Sequence, residues 1–295
     1  MSRRMSLIFL ILFVTLYSGC TPAKSQFQRI GSPHDFMTID KKATPVYGQP
    51  ALYVNINVAG QNVASWFGPN SIVGAVAKTA DRNHNQAVVD DLIKKGFHDY
   101  TQTSIATTLS EMLSDVNRLQ ATDMLLLSSS PEEARRQKDS VSKAEIFAVD
   151  SHVAFYAGDV QNAFAVAFGA KEGIVTKLEI KFNYLSSGAE RRKIWSDVFV
   201  CELEAIPFRE SLVKDEAFRA KQLVRKALDQ LQPWIKKELQ SETYDKYQRV
   251  RIKYRNGLKE EGWLLQDSET ILAIRVTEGI TRVIPKIYIR EIEVI

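Results

Sequence analysis

The feature that most limits what this chain can fold into is a pair of alternating apolar runs joined by a short turn. Leu178, Ile180, Phe182 and Tyr184 alternate with polar residues, Ser186-Ser187-Gly188-Ala189 makes the turn, and Trp195, Phe199, Cys201 and Leu203 line the returning run. Period-two alternation sends successive side chains to opposite faces, so the pattern predicts a long β-hairpin with one apolar face. That face has to be covered. Over 210–240, Val213, Ala217, Ala220, Val224, Ala227, Leu228, Leu231, Trp234 and Leu239 keep one apolar side of a helix, with Lys and Arg opposite. Pro233 is expected to kink that helix or start a new one, because proline removes a backbone hydrogen bond.

Upstream, Leu52, Val54, Ile56 and Val58 predict a half-buried strand over 51–58. The spacing of Val88, Val89, Leu92, Ile93 and Phe97 predicts a helix whose end Gly96 weakens. A second helix is expected from Ser104 through Ile105, Leu109, Met112, Leu113, Val116 and Leu119, and 124–127 reads as a short buried strand. Ser130, Pro131 and Glu133 have the spacing of a capping box, opening a short charged helix that ends near Asp139. From Ala144 the period is two again. Phe147, Val149, Ser151, Val153 and Phe155 share one face, and Asp150, His152 and Tyr156 the other. The expected fold class is α/β (α+β): a domain over 46–240 with one mixed sheet covered by helices.

Residues 244–295 read as a separate unit. Val250, Ile252 and Tyr254 alternate with Arg249, Arg251, Lys253 and Arg255 before Asn256-Gly257, a strong hairpin signal. Gly262-Trp263-Leu264-Leu265, a strand over 270–276, a turn at Glu278-Gly279, Arg282-Val283-Ile284 before Pro285, and then Ile289, Ile292 and Val294 follow. This succession of short strands resembles SH3-like or Sm-like barrels, and the resemblance implies a small all-β barrel.

The chain opens with the basic Met1-Ser2-Arg3-Arg4, an apolar run over 7–16 broken only by Thr15, and Tyr17-Ser18-Gly19-Cys20. A basic start, a short apolar core and small residues describe a secretory signal, and the core is too short to cross a bilayer as a helix. Because the small residues lead into a cysteine, the segment resembles a bacterial lipoprotein signal, although Tyr17 stands where an aliphatic residue is usual. The resemblance implies cleavage after residue 19, a lipid on Cys20, and attachment to a membrane through that lipid. Residues 20–45, rich in Ser, Thr, Pro and Lys, are expected to form a flexible tether. Thr21 is not the aspartate that marks inner-membrane retention, so the same resemblance implies the periplasmic face of the outer membrane. Cys201 is then left without a disulfide partner.

With 45% apolar residues, 25% charged residues and a net charge of only +4, the chain lacks the concentrated basic character that a nucleic-acid partner requires. Enzyme chemistry finds little footing. Cys201 lies on an apolar strand face with nothing nearby to lower its pKa. His34, His84, His98 and His152 do not show zinc-ligand spacing. Asp150 and His152 share a strand face as a catalytic dyad would, but no Gly-x-Ser-x-Gly elbow supplies a nucleophile. Neither a Walker loop nor a Gly-x-Gly-x-x-Gly is present. No catalytic residue, metal or cofactor is expected.

Three segments are candidates for binding. Arg249, Arg251, Lys253 and Arg255 would stand about 6.6 Å apart on one strand face. They would form a basic row for lipid A phosphates, an anionic glycan or an acidic partner, unless Glu260 and Glu261 balance them across the hairpin. Trp66 and Phe67 beside Gly68-Pro69 form either a contact loop or a plug for the core. Residues 147–156 and 163–169 are either buried strands or an inserted hairpin of an oligomeric pore. The order of elements over 50–240 resembles curli-secretion channel lipoproteins, activators of penicillin-binding proteins and auxiliary lipoproteins of envelope ABC transporters. That resemblance implies a non-enzymatic lipoprotein acting as an assembly or accessory subunit of a cell-envelope complex through protein–protein contacts. The alternatives are a peptidoglycan- or lipopolysaccharide-binding lipoprotein and an oligomeric outer-membrane pore or secretion component.

Overall fold

The computed structural model describes residues 43–56, 72–114, 124–141, 143–157, 173–188, 190–207, 212–239, 247–276 and 279–295. They form mixed α/β structure: four helices and one large mixed sheet, twelve strands among the described residues. The predicted hairpin is its axis. Strand β5 (Gly173–Leu185) pairs antiparallel with β6 (Lys193–Glu202), and on its other side with β4 (Ile146–Ala157). Leu178, Ile180, Phe182, Tyr184, Trp195, Phe199 and Cys201 are all fully buried, as the alternation requires. Phe147 stacks on Phe182 with ring centroids 5.2 Å apart, and Phe182 meets Phe199 edge-on at 5.6 Å.

Helices cover that face. The first, α1 (Ile72–Lys94), begins well before the apolar spacing at Val88, because residues 78–86 carry no large apolar side chain to continue the pattern upstream. Gly96 does more than weaken an end. Its φ of 66° reverses the chain, so Phe97 opens α2 (Phe97–Leu113) instead of closing α1. The second helix therefore starts ahead of Ser104, with Phe97, Ile105, Leu109, Met112 and Leu113 buried. After α3 (Pro131–Ser140) comes the long α4 (Lys214–Leu239), whose apolar side packs on β5 and β6. Pro233 does not interrupt α4, which runs on to Leu239. The irregularity lies at Asp215, Glu216 and Ala217, all at positive φ, a conformation that costs L-residues about 1–2 kcal/mol each.

Two further expectations change. The tether does not reach Pro45: β1 (Thr44–Tyr47) runs parallel to β4, and β2 (Ala51–Asn55) continues the line farther along it. Thr44 donates to Glu145, just ahead of β4, and Gly48 to Val149 within it, so Pro45 turns its missing N–H the other way, where β3 (Leu125–Leu126) pairs only Val46 and Tyr47. The capping box at Ser130 does not form. Ser128 donates its hydroxyl to Glu133, its own N–H is held by Gln137, and the Ser130 side chain makes no cap. Two residues of irregular chain let the earlier serine reach the glutamate first.

The C-terminal strands do not stand apart from this sheet. A two-residue β7 (Ile206–Pro207) pairs with β5. Then β8 (Arg249–Tyr254), β9 (Lys259–Asp267), β10 (Ile271–Val276) and β11 (Ile280–Pro285) follow as an antiparallel meander. A 3-10 turn over Lys286–Tyr288 then leads to β12 (Ile289–Val294), which returns to pair with β8. The order is β12-β8-β9-β10-β11-β6-β5-β4-β1-β3, joined across the expected boundary at residue 244 by the parallel pair β11–β6. Val250, Ile252, Leu272, Ile274, Val276, Ile284 and Ile289 form a separate small core, whereas Ala273 and Val283 face the large one. These strands thus have their own interior and lend one face to the main body.

Candidate functional site

The basic row on β8 sits in a frame of acids. Its neighbours are β9 on one side and β12 on the other, with Arg251 opposite Glu261 and Glu293, and Lys253 opposite Lys259 and Glu291. Arg251 makes a 2.7 Å ion pair with Glu261 and a 3.5 Å contact with Glu293. Lys253 meets Glu291 at 2.8 Å and Glu293 at 3.6 Å. Arg249 is 3.8 Å from Glu261. Hydrogen bonding to Lys253 holds the Glu291 carboxyl below the usual carboxylate range, and Glu261 raises Arg251 in the same way. Glu260 turns to the opposite face, where it accepts from the Tyr254 hydroxyl at 2.6 Å and faces Arg282 at 3.3 Å. Arg255 lies in the exposed turn after β8 and takes no part in these pairs. The face is therefore a ladder of alternating charge open to water, not an uncompensated basic stripe.

The remaining sequence candidates are placed as follows. Cys20, Trp66, Phe67 and residues 163–169 lie outside the described residues. Strand β4 turns Phe147, Val149, Val153 and Phe155 into the protein's own core. Cys201 is buried with its thiol 3.2 Å from the Gln230 side-chain oxygen, and burial pushes its pKa up, which disfavours the thiolate. Asp150 and His152 lie on the sheet face away from the helices, with the His152 ring edge-on to the exposed Tyr53 at 6.5 Å. His98 is pulled below the usual histidine value by desolvation. No group of three His, Cys, Asp or Glu side chains able to hold a metal occurs among the described residues.

A second charged group escapes the reading of the sequence. Asp197 on β6, Glu238 on α4 and Arg275 on β10 meet in the interior with at most 1% of any of their side chains exposed. Arg275 grips Asp197 through both ends of its guanidinium, Nη1 to Oδ1 at 2.7 Å and Nη2 to Oδ2 at 2.6 Å. It also donates to Thr281 of β11 at 2.9 Å and, more weakly, to Glu238 at 3.4 Å. The Val198 N–H adds a 2.8 Å bond to Asp197. Desolvation pushes the Asp197 carboxyl up to about 8, the pull of Arg275 notwithstanding, and Glu238 pushes the same way. All three residues break an apolar pattern in phase. Asp197 falls between Trp195 and Phe199, Arg275 is two residues from Ala273, and Glu238 is seven from Leu231. Charge at a position whose period demands burial is the signal that would have found them.

Comparison with known proteins adds little to this geometry. No family model matches the chain. No curated protein matches it either. Among solved structures it is similar to a neuraminyllactose-binding hemagglutinin homolog from Helicobacter pylori, over 75% of this chain and 89% of that one, at 12% identity and a TM-score of 0.28. A likeness of that size carries no argument about fold or activity.

Proposed function

We propose that the protein is a non-enzymatic, membrane-anchored lipoprotein that serves as an assembly or accessory subunit of a cell-envelope complex through protein–protein contacts. Its anchor is the lipid on Cys20, at the periplasmic face of the outer membrane. The C-terminal strands form a small SH3-like barrel that acts as the contact module. A five-strand run whose last member returns to its first, around a core of its own, supports that reading. The observation that carries the function is the charge ladder on β9, β8 and β12. Its cations already face Glu261, Glu291 and Glu293, which suits a partner surface of mixed charge better than a polyanion such as lipopolysaccharide. Arg249 and Arg255, at the two ends of the row, keep a peptidoglycan- or lipopolysaccharide-binding role as the second reading.

The test is affinity capture of the tagged chain extracted from its own membranes, with proteomic and mass readout, beside a variant carrying Arg251→Glu and Lys253→Glu. A stoichiometric set of envelope proteins, lost in the variant, is the expected result. A homo-oligomer alone would favour the pore. A monomer carrying glycan or lipid, released by the charge reversals, would favour the ligand binder. The mass of the first peptide reports directly on Cys20.

A further inference from the structure

Two carboxylates and one guanidinium sealed from water cannot all stay charged without a large desolvation cost. In this protein the geometry divides them unequally. Asp197 takes both prongs of the Arg275 fork, which leaves Glu238 with the longer 3.4 Å contact. Glu238 also acts on the Asp197 carboxyl and favours its protonated form. One guanidinium cannot neutralise two buried carboxylates, so a proton held by the pair removes the uncompensated charge. The cluster spans three structural units: β6 of the main sheet, α4 above it, and β10 and β11 of the C-terminal strands. We propose that Asp197, Arg275 and Glu238 form a proton-dependent latch that clamps β10 and β11 to β6 and α4, and that the latch tightens as the surroundings acidify.

The charged groups that act on Asp197 are Arg275 from β10 and Glu238 from α4. Thr281 of β11 brings a neutral hydroxyl, and the Asp197 partner on β5 is Phe182. The sign follows from the proton count. Once the latch opens to water, the Asp197 carboxyl returns to its ordinary range near 4, whereas closed it keeps its proton up to about 8. Between those limits the closed form binds one more proton than the open form. The opening equilibrium therefore rises about tenfold per pH unit through the window and levels off above it.

The experiment is amide hydrogen exchange on the full-length chain from about pH 5 to about pH 8, corrected for the intrinsic pH dependence of exchange and read at the β10 and β11 amides. Wild type should open about tenfold more per pH unit. Glu238→Gln removes the second buried acid and leaves Arg275 to neutralise Asp197 alone, so it should flatten that slope and keep the strands protected at the alkaline end. A flat wild-type profile, or a Glu238→Gln profile as steep as wild type, would overturn the proposal. Should the variant fail to fold, infrared absorption of the wild type decides. A protonated carboxyl band present at neutral pH and lost towards the alkaline limit supports the latch, and its absence at neutral pH overturns it.

Discussion

Gly262 shows how much a single missing side chain controls. It lies on β9 opposite Val276 of the antiparallel neighbour β10, and a Cβ there would overlap the Arg275 carbonyl oxygen and stand 2.8 Å from its carbon. The obstruction is backbone, so no rotamer change relieves it. Just beyond, an irregularity in the β9–β10 register inserts Leu265 as an extra residue. Leu264 can then point into the small core while Leu265 joins the large one. Replacing Gly262 by Ala would push β9 away from the strand that carries Arg275. We expect Gly262→Ala to cost about 3 kcal/mol, read as a lower urea midpoint with an unchanged slope. A midpoint equal to wild type would show that the β9–β10 pair tolerates a methyl group there. Buried charge is the other residue-scale lesson. Asp197, Glu238 and Arg275 sit in phase with apolar neighbours, and a reading that tracks only apolar positions passes over them.

At the scale of elements, the ladder of β9, β8 and β12 illustrates pairing that holds little stability. Its members are solvent-exposed, and exposed ion pairs contribute little to stability. Arg251→Glu with Lys253→Glu should therefore leave the melting temperature within about 2–4 °C of wild type, even if partner binding is lost. A larger drop would mean that the ladder helps to close the C-terminal strands. Its pH dependence runs opposite to that of the buried cluster. The Glu291 carboxyl is held below its ordinary value by Lys253, so its contribution is present above that value and lost as pH falls through the lowered one. Helix boundaries belong to this scale as well. The period at Val88 to Phe97 puts Val88, Val89 and Leu92 on the covered face but Ile93 is exposed, and Gly96 cuts the run, because a residue at φ 66° ends one helix and redirects the chain into the next. Helix α4 shows the converse. Proline at residue 233 predicts a break, yet burial of Leu231 and Ile235 on either side keeps the helix continuous.

For the whole molecule, the decisive contact is the union of the C-terminal strands with the main sheet. It rests on the parallel pair β11–β6, on Ala273 and Val283 in the large core, and on the Arg275 cluster. Arg275→Met removes the only cation that faces two buried carboxyls among the groups acting on Asp197. We expect a loss of about 3–5 kcal/mol near neutral pH in chemical denaturation. Adding Asp197→Leu and Glu238→Met should restore much of it, since apolar groups of similar size need no counter-charge. A single Arg275→Met variant as stable as wild type would show that the cluster does not hold the two parts together.

From the sequence alone, period determined the elements and their faces. Alternation at Leu178–Tyr184 and Trp195–Leu203 required a hairpin with one covered side, the stripe of α4 supplied the cover, and Asn256-Gly257 marked a turn before any strand pairing was known. Those are local constraints, written by neighbours two to four residues apart. What only the tertiary structure decided was which strands join across long separations. Residue 280 pairs with residue 198, residue 44 with residue 146, and three charges spread from 197 to 275 meet inside one core. No local period encodes such contacts, because they depend on how sheet register and helix packing bring distant segments together. The charge ladder divides between the two. Its cations are legible on one strand, but the acids that face them arrive from β9 and β12, and only the register says which acid meets which cation.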